Sequence, residues 1–266
     1  MDLLRISALL VGLAAGTLGG LIGTGGCSVM LPILHFYMSL SSPLAVGTTL
    51  FAVIFTTLSG AYGHLKIRNL DAKATAVMGG AGTLGVLLGS YLFTKITRSQ
   101  AALLDLILGL VFILPSIRML YEGLKGMRGA SAKSESQLDH IPGSSVAKAA
   151  FGFVVGIATG LVGLGGGYAL VPGMIYLFNA PVKLTMGTSL STMIPLAVVG
   201  GLIKLKQGFV EMSVGVPLAI GTVVGAQVGA RAIKRFRPAT LKAIFGLYFL
   251  YVSLKYIAAY FGVRLW

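Results

Sequence analysis

The residues best placed to do chemistry form two short runs, Gly23-Thr24-Gly25-Gly26 and Gly163-Leu164-Gly165-Gly166-Gly167, each interrupting a long apolar stretch. Glycine in a helix interior costs about 1 kcal/mol relative to alanine, so a cluster of them unwinds a helix. Unwound backbone presents N–H donors, and the N-terminus of the following helix adds about half a positive charge. Two such ends facing each other bind a small anion without side-chain cations. Hydroxyls of Thr24, Ser28, Thr48, Thr49, Thr188 and Ser189 supply further donors, the last four at the start of the next apolar segment in each half. Cys27, the only cysteine, stands at the first break where the second has Gly167, which reads as a small packing residue rather than a reactive thiol. The candidate binding set is therefore Gly23, Thr24, Gly25, Gly26, Cys27, Thr48 and Thr49 with Gly163, Gly165, Gly166, Gly167, Thr188 and Ser189.

These residues belong to a chain that repeats itself. Gly16, Gly20, Leu21, Gly23, Gly25, Gly26 and Pro32 return 140 positions later as Gly156, Gly160, Leu161, Gly163, Gly165, Gly166 and Pro172. The register continues through Gly47-Thr48 and Gly187-Thr188 to Gly89 and Gly229, after which a shorter second half pairs Gly109 with Gly246. Long apolar segments interrupted at corresponding points of two halves are the pattern of a transporter whose site lies between repeats.

Composition sets the environment. The chain is 56% hydrophobic and 11% charged, with mean hydropathy +0.90, far from the roughly 25% charged residues of a soluble domain. Apolar stretches run over 6–34, 44–63, 74–94, 99–117, 149–178, 184–203, 212–230 and 243–262. Most reach the roughly 20 residues a spanning helix needs, and lipid excludes open sheets. The expected fold is an all-α polytopic membrane protein of two homologous repeats, about four helical segments each and about eight spans in total. Residues 1–121 form the first repeat, 122–148 a cytoplasmic linker and 149–266 the second repeat. Each first segment reads as a helix, an unwound crossing and a shorter helix ending near Pro32 or Pro172. The apolar run after Arg5 imitates a signal peptide, but it continues to Leu34 and its counterpart lies in mid-chain, which reads as mature structure. The four-residue series Gly12, Gly16, Gly20, its copy Gly152, Gly156, Gly160, and Gly221, Gly225, Gly229 read as close helix packing.

A net charge of +14 in such a chain reflects the positive-inside bias rather than nucleic-acid binding. Counting Lys and Arg puts the linker inside but leaves two topologies open. In one, loops 64–73 and 204–211 share a side with the termini and linker; in the other, the first segment of each half is a hairpin and the termini are external. His35, His64 and His140 show no metal-ligand spacing, so neither metal nor cofactor is expected. Asp71 and Glu211 lie at helix starts as caps. Asp105 is the one carboxylate inside an apolar segment and the candidate for coupling. His64 and Lys66, with Lys204 and Lys206, form basic vestibules or solvated loop ends. The scarcity of intramembrane carboxylates favours anionic cargo.

The glycine break followed by proline, Val-Gly-Thr-Thr at 46–49, Met-Gly-Thr-Ser at 186–189, and the Gly…Leu-Lys segments at 60–66 and 200–206 resemble the TauE/SafE family of sulfite and organosulfur exporters across essentially the whole chain. The resemblance implies a multi-pass permease of a prokaryotic cytoplasmic membrane, built from duplicated helical modules and moving small sulfur-containing anions outward. Alternating access around an anion held between the breaks is the expected mechanism. An anion channel, or a scaffold subunit without transport, would use the same helices. No nucleophile with a base is visible, so an enzyme is not expected. Expected partners are a small anion and the bilayer, without nucleic acid; oligomerisation stays open.

Overall fold

The computed structural model describes residues 2–99, 101–127, 139–163, 165–232 and 238–263. Among them the structure is helical throughout: α1 (Asp2–Ile22), α2 (Cys27–Tyr37), α3 (Ser42–Lys66), α4 (Ala72–Ser99), α5 (Ala101–Met127), α6 (Ser145–Val162), α7 (Gly167–Leu177), α8 (Val182–Lys206), α9 (Met212–Ala232) and α10 (Pro238–Tyr260). Six of these, α1, α3, α4, α6, α8 and α9, contain segments long and apolar enough to cross a membrane, while α2 and α7 are short apolar helices. Helix starts carry ordinary signals. Pro43 opens α3, and the Ser144 hydroxyl caps α6 by accepting from Ala147 N at 3.2 Å. Of the linker, 128–138 lies outside the described residues.

The helices form two compact units, one of Met1–Thr94 with Gln137–Ile233 and one of Lys95–Ser136 with Lys234–Trp266. In the second, α5 and α10 lie antiparallel, Gly109 against Ile257 and Gly123 against Ala243, with Ser253 Oγ donating to Gly109 O at 2.7 Å. Asp105 belongs to α5, and its side chain lies outside the described residues.

In the first unit the spaced glycines are seams. A Cβ on Gly12, Gly16 or Gly20 would stand 2.2, 2.6 or 2.4 Å from the backbone of Leu218, Thr222 or Ala226, so α1 lies parallel to α9 in backbone contact. Gly152, Gly156 and Gly160 press in the same way on Met78, Gly82 and Val86, setting α6 parallel to α4. Lipid gives no hydrophobic drive between helices, so such close approach supplies the cohesion. α3 and α8 cross antiparallel, Gly60 against Leu190 and Gly200 against Leu50. Loops 67–70 and 207–210, which follow these helices, therefore lie at opposite ends of the pair. Of the two topologies left open by charge, the one placing them together is excluded.

At each break the chain reverses. A Cβ on Gly26 would lie 2.2 Å from Ala15 O, and one on Gly166 2.8 Å from Val155 Cγ1, so α2 returns along α1 and α7 along α6. The short helices do not end at proline as expected: α2 continues to Tyr37 and α7 to Leu177. After Pro32 the helix widens into a π-helical turn, Ile33–Tyr37, with Met38 N donating to Ile33 O at 3.0 Å. α7 carries Pro172 in its second turn and forgoes one N–H.

Asp71 anchors the linker. Its Oδ1 accepts from Ala74 N at 2.9 Å, capping α4, and its Oδ2 from Ile141 N at 2.7 Å, while Lys148 Nζ donates to Ile141 O. Losing the cap costs about 1 kcal/mol and an orphaned buried N–H about 1–3 kcal/mol. Asp71→Ala is therefore expected to lower the thermal midpoint and speed protease cleavage of the linker, with Asp71→Asn intermediate. Unchanged cleavage in both variants would refute the anchor.

Candidate functional site

The two breaks have the same conformation. Gly23, Gly25 and Gly26 take φ values of +81°, +70° and +70°, and Gly163, Gly165 and Gly166 take +73°, +63° and +86°. They also meet. A Cβ on either Gly25 or Gly165 would stand 2.7 Å from the same atom, Met193 Cε, with Val53 also in contact, and one on Gly167 would stand 2.6 Å from Thr24 Cα. Val53 and Met193 lie near the middle of α3 and α8, which puts the meeting point midway along both helices. α2 and α7 both begin here, without side-chain caps, so two helix N-termini approach one locus. Such a locus favours negative charge although it holds no side-chain cation. Leu164 lies outside the described residues.

The hydroxyls divide. Ser189 Oγ donates to Gly23 O at 2.9 Å, fastening α8 to the first break. Thr49, its counterpart, is fully buried, and its hydroxyl has no hydrogen-bond partner among the described residues. Thr48 and Thr188 work elsewhere: Thr48 Oγ1 accepts from Glu211 N and Thr188 Oγ1 from Asp71 N, both at 2.9 Å, so each holds the loop of the other half. Cys27 Sγ donates to Thr24 O at 3.2 Å, inside the turn, and is buried. Thr24 is buried and Ser28 nearly fully so.

The vestibule candidates also separate. Lys66 and Lys206 are exposed at helix ends, the former 4.5 Å from the Tyr62 ring centroid. His64 and Lys204 are fully buried near the ends of α3 and α8. Sequence reasoning missed Val53, Met193 and Thr192. The first two fill the space between the breaks, and Thr192, beside Met193, carries a buried hydroxyl with no partner among the described residues. Only a helical projection registering α3 and α8 on the breaks would have singled them out, because apolar residues in a span carry no individual signal.

Spanning helices arranged around two buried, back-to-back chain reversals define a polytopic membrane transporter. The chain belongs to the sulfite exporter TauE/SafE family, whose model it matches over residues 8–256. Among curated relatives, it is 30% identical over 236 residues to "Probable membrane transporter protein YdhB" of Bacillus subtilis, covering 88% of this chain and 93% of that one. YunE of the same organism, also described as a probable membrane transporter protein, is 26% identical over 262 residues, 93% and 95% of the two chains. A relative from Methanocaldococcus jannaschii, also described as a probable membrane transporter protein, is 28% identical over 254 residues, 88% of each chain. No solved structure matches.

Proposed function

We propose that this protein exports a small sulfur-containing anion, sulfite or an organosulfur acid, by alternating access around a site between the glycine breaks. The observation that carries the reading is the convergence of both breaks on Met193 and Val53, midway along α8 and α3. Gly23, Thr24, Gly25, Gly26 and Cys27 form one wall, and Gly163, Gly165, Gly166 and Gly167 the other; Gly23 N and Thr24 N already donate to Gly19 O and Gly163 N to Thr159 O, so the backbone N–H groups of the later glycines serve as donors. Thr49 and Ser189 add hydroxyls from α3 and α8, while Thr48 and Thr188 act at one remove by holding the loops.

Residues 1–121 and 149–266 act as inverted repeats joined by the linker 122–148. Contacts exchanged between halves support this: Gly23 presses on Met186 as Gly163 presses on Val46, and α3 runs antiparallel to its counterpart α8. We place the protein in a cytoplasmic membrane with the basic linker inside, which puts the start of α1 outside. Moving one negative charge outward across an inside-negative membrane is favourable by about 2.3 kcal/mol per 100 mV. Export therefore needs no coupling ion, and Asp105 is the residue to test should one be found.

The reading is tested with purified protein in proteoliposomes, measuring radiolabelled sulfite flux at zero and at negative clamped potential. Saturable flux accelerated by the potential is expected. Flux that does not saturate marks a channel, and its absence for sulfite and for organosulfonates overturns the transport reading.

A further inference from the structure

The repeat offset pairs His64 with Lys204. Both are fully buried, yet they are satisfied differently. His64 Nε2 donates to Gly20 O at 3.1 Å and its Nδ1 accepts from Asn69 Nδ2 at 3.1 Å, so both ring nitrogens are used. Lys204 Nζ has no hydrogen-bond partner among the described residues and lies 3.1 Å from the centroid of the Phe93 ring. Phe93 is buried and meets Phe209 edge-on at 5.2 Å, Phe209 N donates to Lys204 O at 3.0 Å, and Gln207 Nε2 donates to Thr94 Oγ1 at 2.9 Å. The end of α8 is thus tied to the stretch of α4 around Phe93 and Thr94.

One turn earlier on α4 lies Ser90, 1% exposed, whose hydroxyl likewise has no partner among the described residues. A Cβ on Gly160 would stand 2.7 Å from Ser90 N, so α6 closes this stretch from another side. Two buried donors on neighbouring elements have nothing to donate to among the described residues. A buried ammonium without a counter-charge is costly, and an aromatic face offsets only part of that cost. The opposite end of the unit lacks both features, since Ala230 takes the position of Ser90 and His64 is saturated.

We infer that Lys204 and Ser90 form a subsite for a small oxyanion, a second station beyond the breaks on the face away from the linker. The ammonium, resting on the Phe93 face, and the hydroxyl donate to two oxygens of one anion. This rests on the reading that the cargo is a sulfur oxyanion, and it makes the two ends of the pathway unequal in affinity.

The test is the rise in thermal midpoint of the detergent-purified full chain on titration with sulfite, and separately with sulfate. Lys204→Met should weaken the sulfite-dependent rise about tenfold or more in concentration, the loss of a charge-assisted hydrogen bond, and Ser90→Ala by less. Lys73→Met, at an exposed lysine, should leave it unchanged. Without anion, Lys204→Met should melt higher than wild type, because a buried polar group without a hydrogen-bond partner among the described residues has gone; this shows that the variant folds. A wild-type response retained by Lys204→Met overturns the subsite, as does a wild type that responds to neither anion or only to an anionic lipid. Sulfite flux measured in parallel separates the two claims. A Lys204-dependent shift without flux keeps the subsite and removes the transport reading; flux with unaltered KM in Lys204→Met does the reverse.

Discussion

Leucine at Gly25 or Gly165 is expected to abolish transport while leaving membrane insertion intact. Both positions hold left-handed backbone, φ +70° and +63°, which costs an L-residue about 1–2 kcal/mol. Both side chains would also enter the space taken by Met193 Cε and the Val53 side chain. Displacing these packed groups adds about 1–3 kcal/mol. At about 1.4 kcal/mol per tenfold in rate, a combined penalty near 3 kcal/mol lowers flux about a hundredfold if it falls on the transporting state. Insertion depends on the apolar helices, which neither change touches. The matched control is Gly80→Ala, where a Cβ meets nothing within 4 Å; its flux should equal that of wild type. The measurement is sulfite flux per inserted molecule. Normal flux in both leucine variants would remove the breaks from the mechanism.

Much of this architecture was legible because membrane packing writes itself in small residues. The four-residue glycine series predicted seams, and α1 on α9 and α4 on α6 are seams at those glycines. Consecutive glycines predicted breaks, and the breaks are there with positive φ at corresponding positions. What could not be read is which helix meets which, since register between distant segments leaves no local trace. Thr48 and Thr188 looked like donors beside the site because they follow it in sequence, but their oxygens are taken by backbone N–H groups of the opposite half. Proline looked like a stop, but α2 runs past Pro32 to Tyr37 and α7 past Pro172 to Leu177. Lys204 and His64 looked alike as basic residues at equivalent positions; only their partners distinguish them.

The family motif around Gly47 and Gly187 carries the second large effect. A Cβ on Gly47 would stand 1.9 Å from Phe209 O, and one on Gly187 1.8 Å from Asn69 O. Neither oxygen belongs to a side chain that can swing aside, so the loop itself must detach, taking with it the bond from Glu211 N to Thr48 or from Asp71 N to Thr188. Overpacking costs about 1–3 kcal/mol and an orphaned buried N–H a similar amount. Gly47→Ala or Gly187→Ala should therefore lose about 2–6 kcal/mol, a large part of the 5–15 kcal/mol typical of a folded domain. The expected result is a collapse of the monodisperse peak of detergent-purified protein in size-exclusion chromatography, with little protein recovered. Thr48→Val and Thr188→Val keep the glycine and lose only the hydroxyl, so each should cost about 1–3 kcal/mol and remain folded. The two valine changes act on separate loops, and their effects should add. Gly187→Ala with Thr188→Val act on one loop and should not, because a detached loop has no bond left to lose. Additive behaviour in that second pair would show that glycine and threonine serve different ends. Coupling would make the motif a latch between halves, which keeps the two breaks in register while the helices around them move.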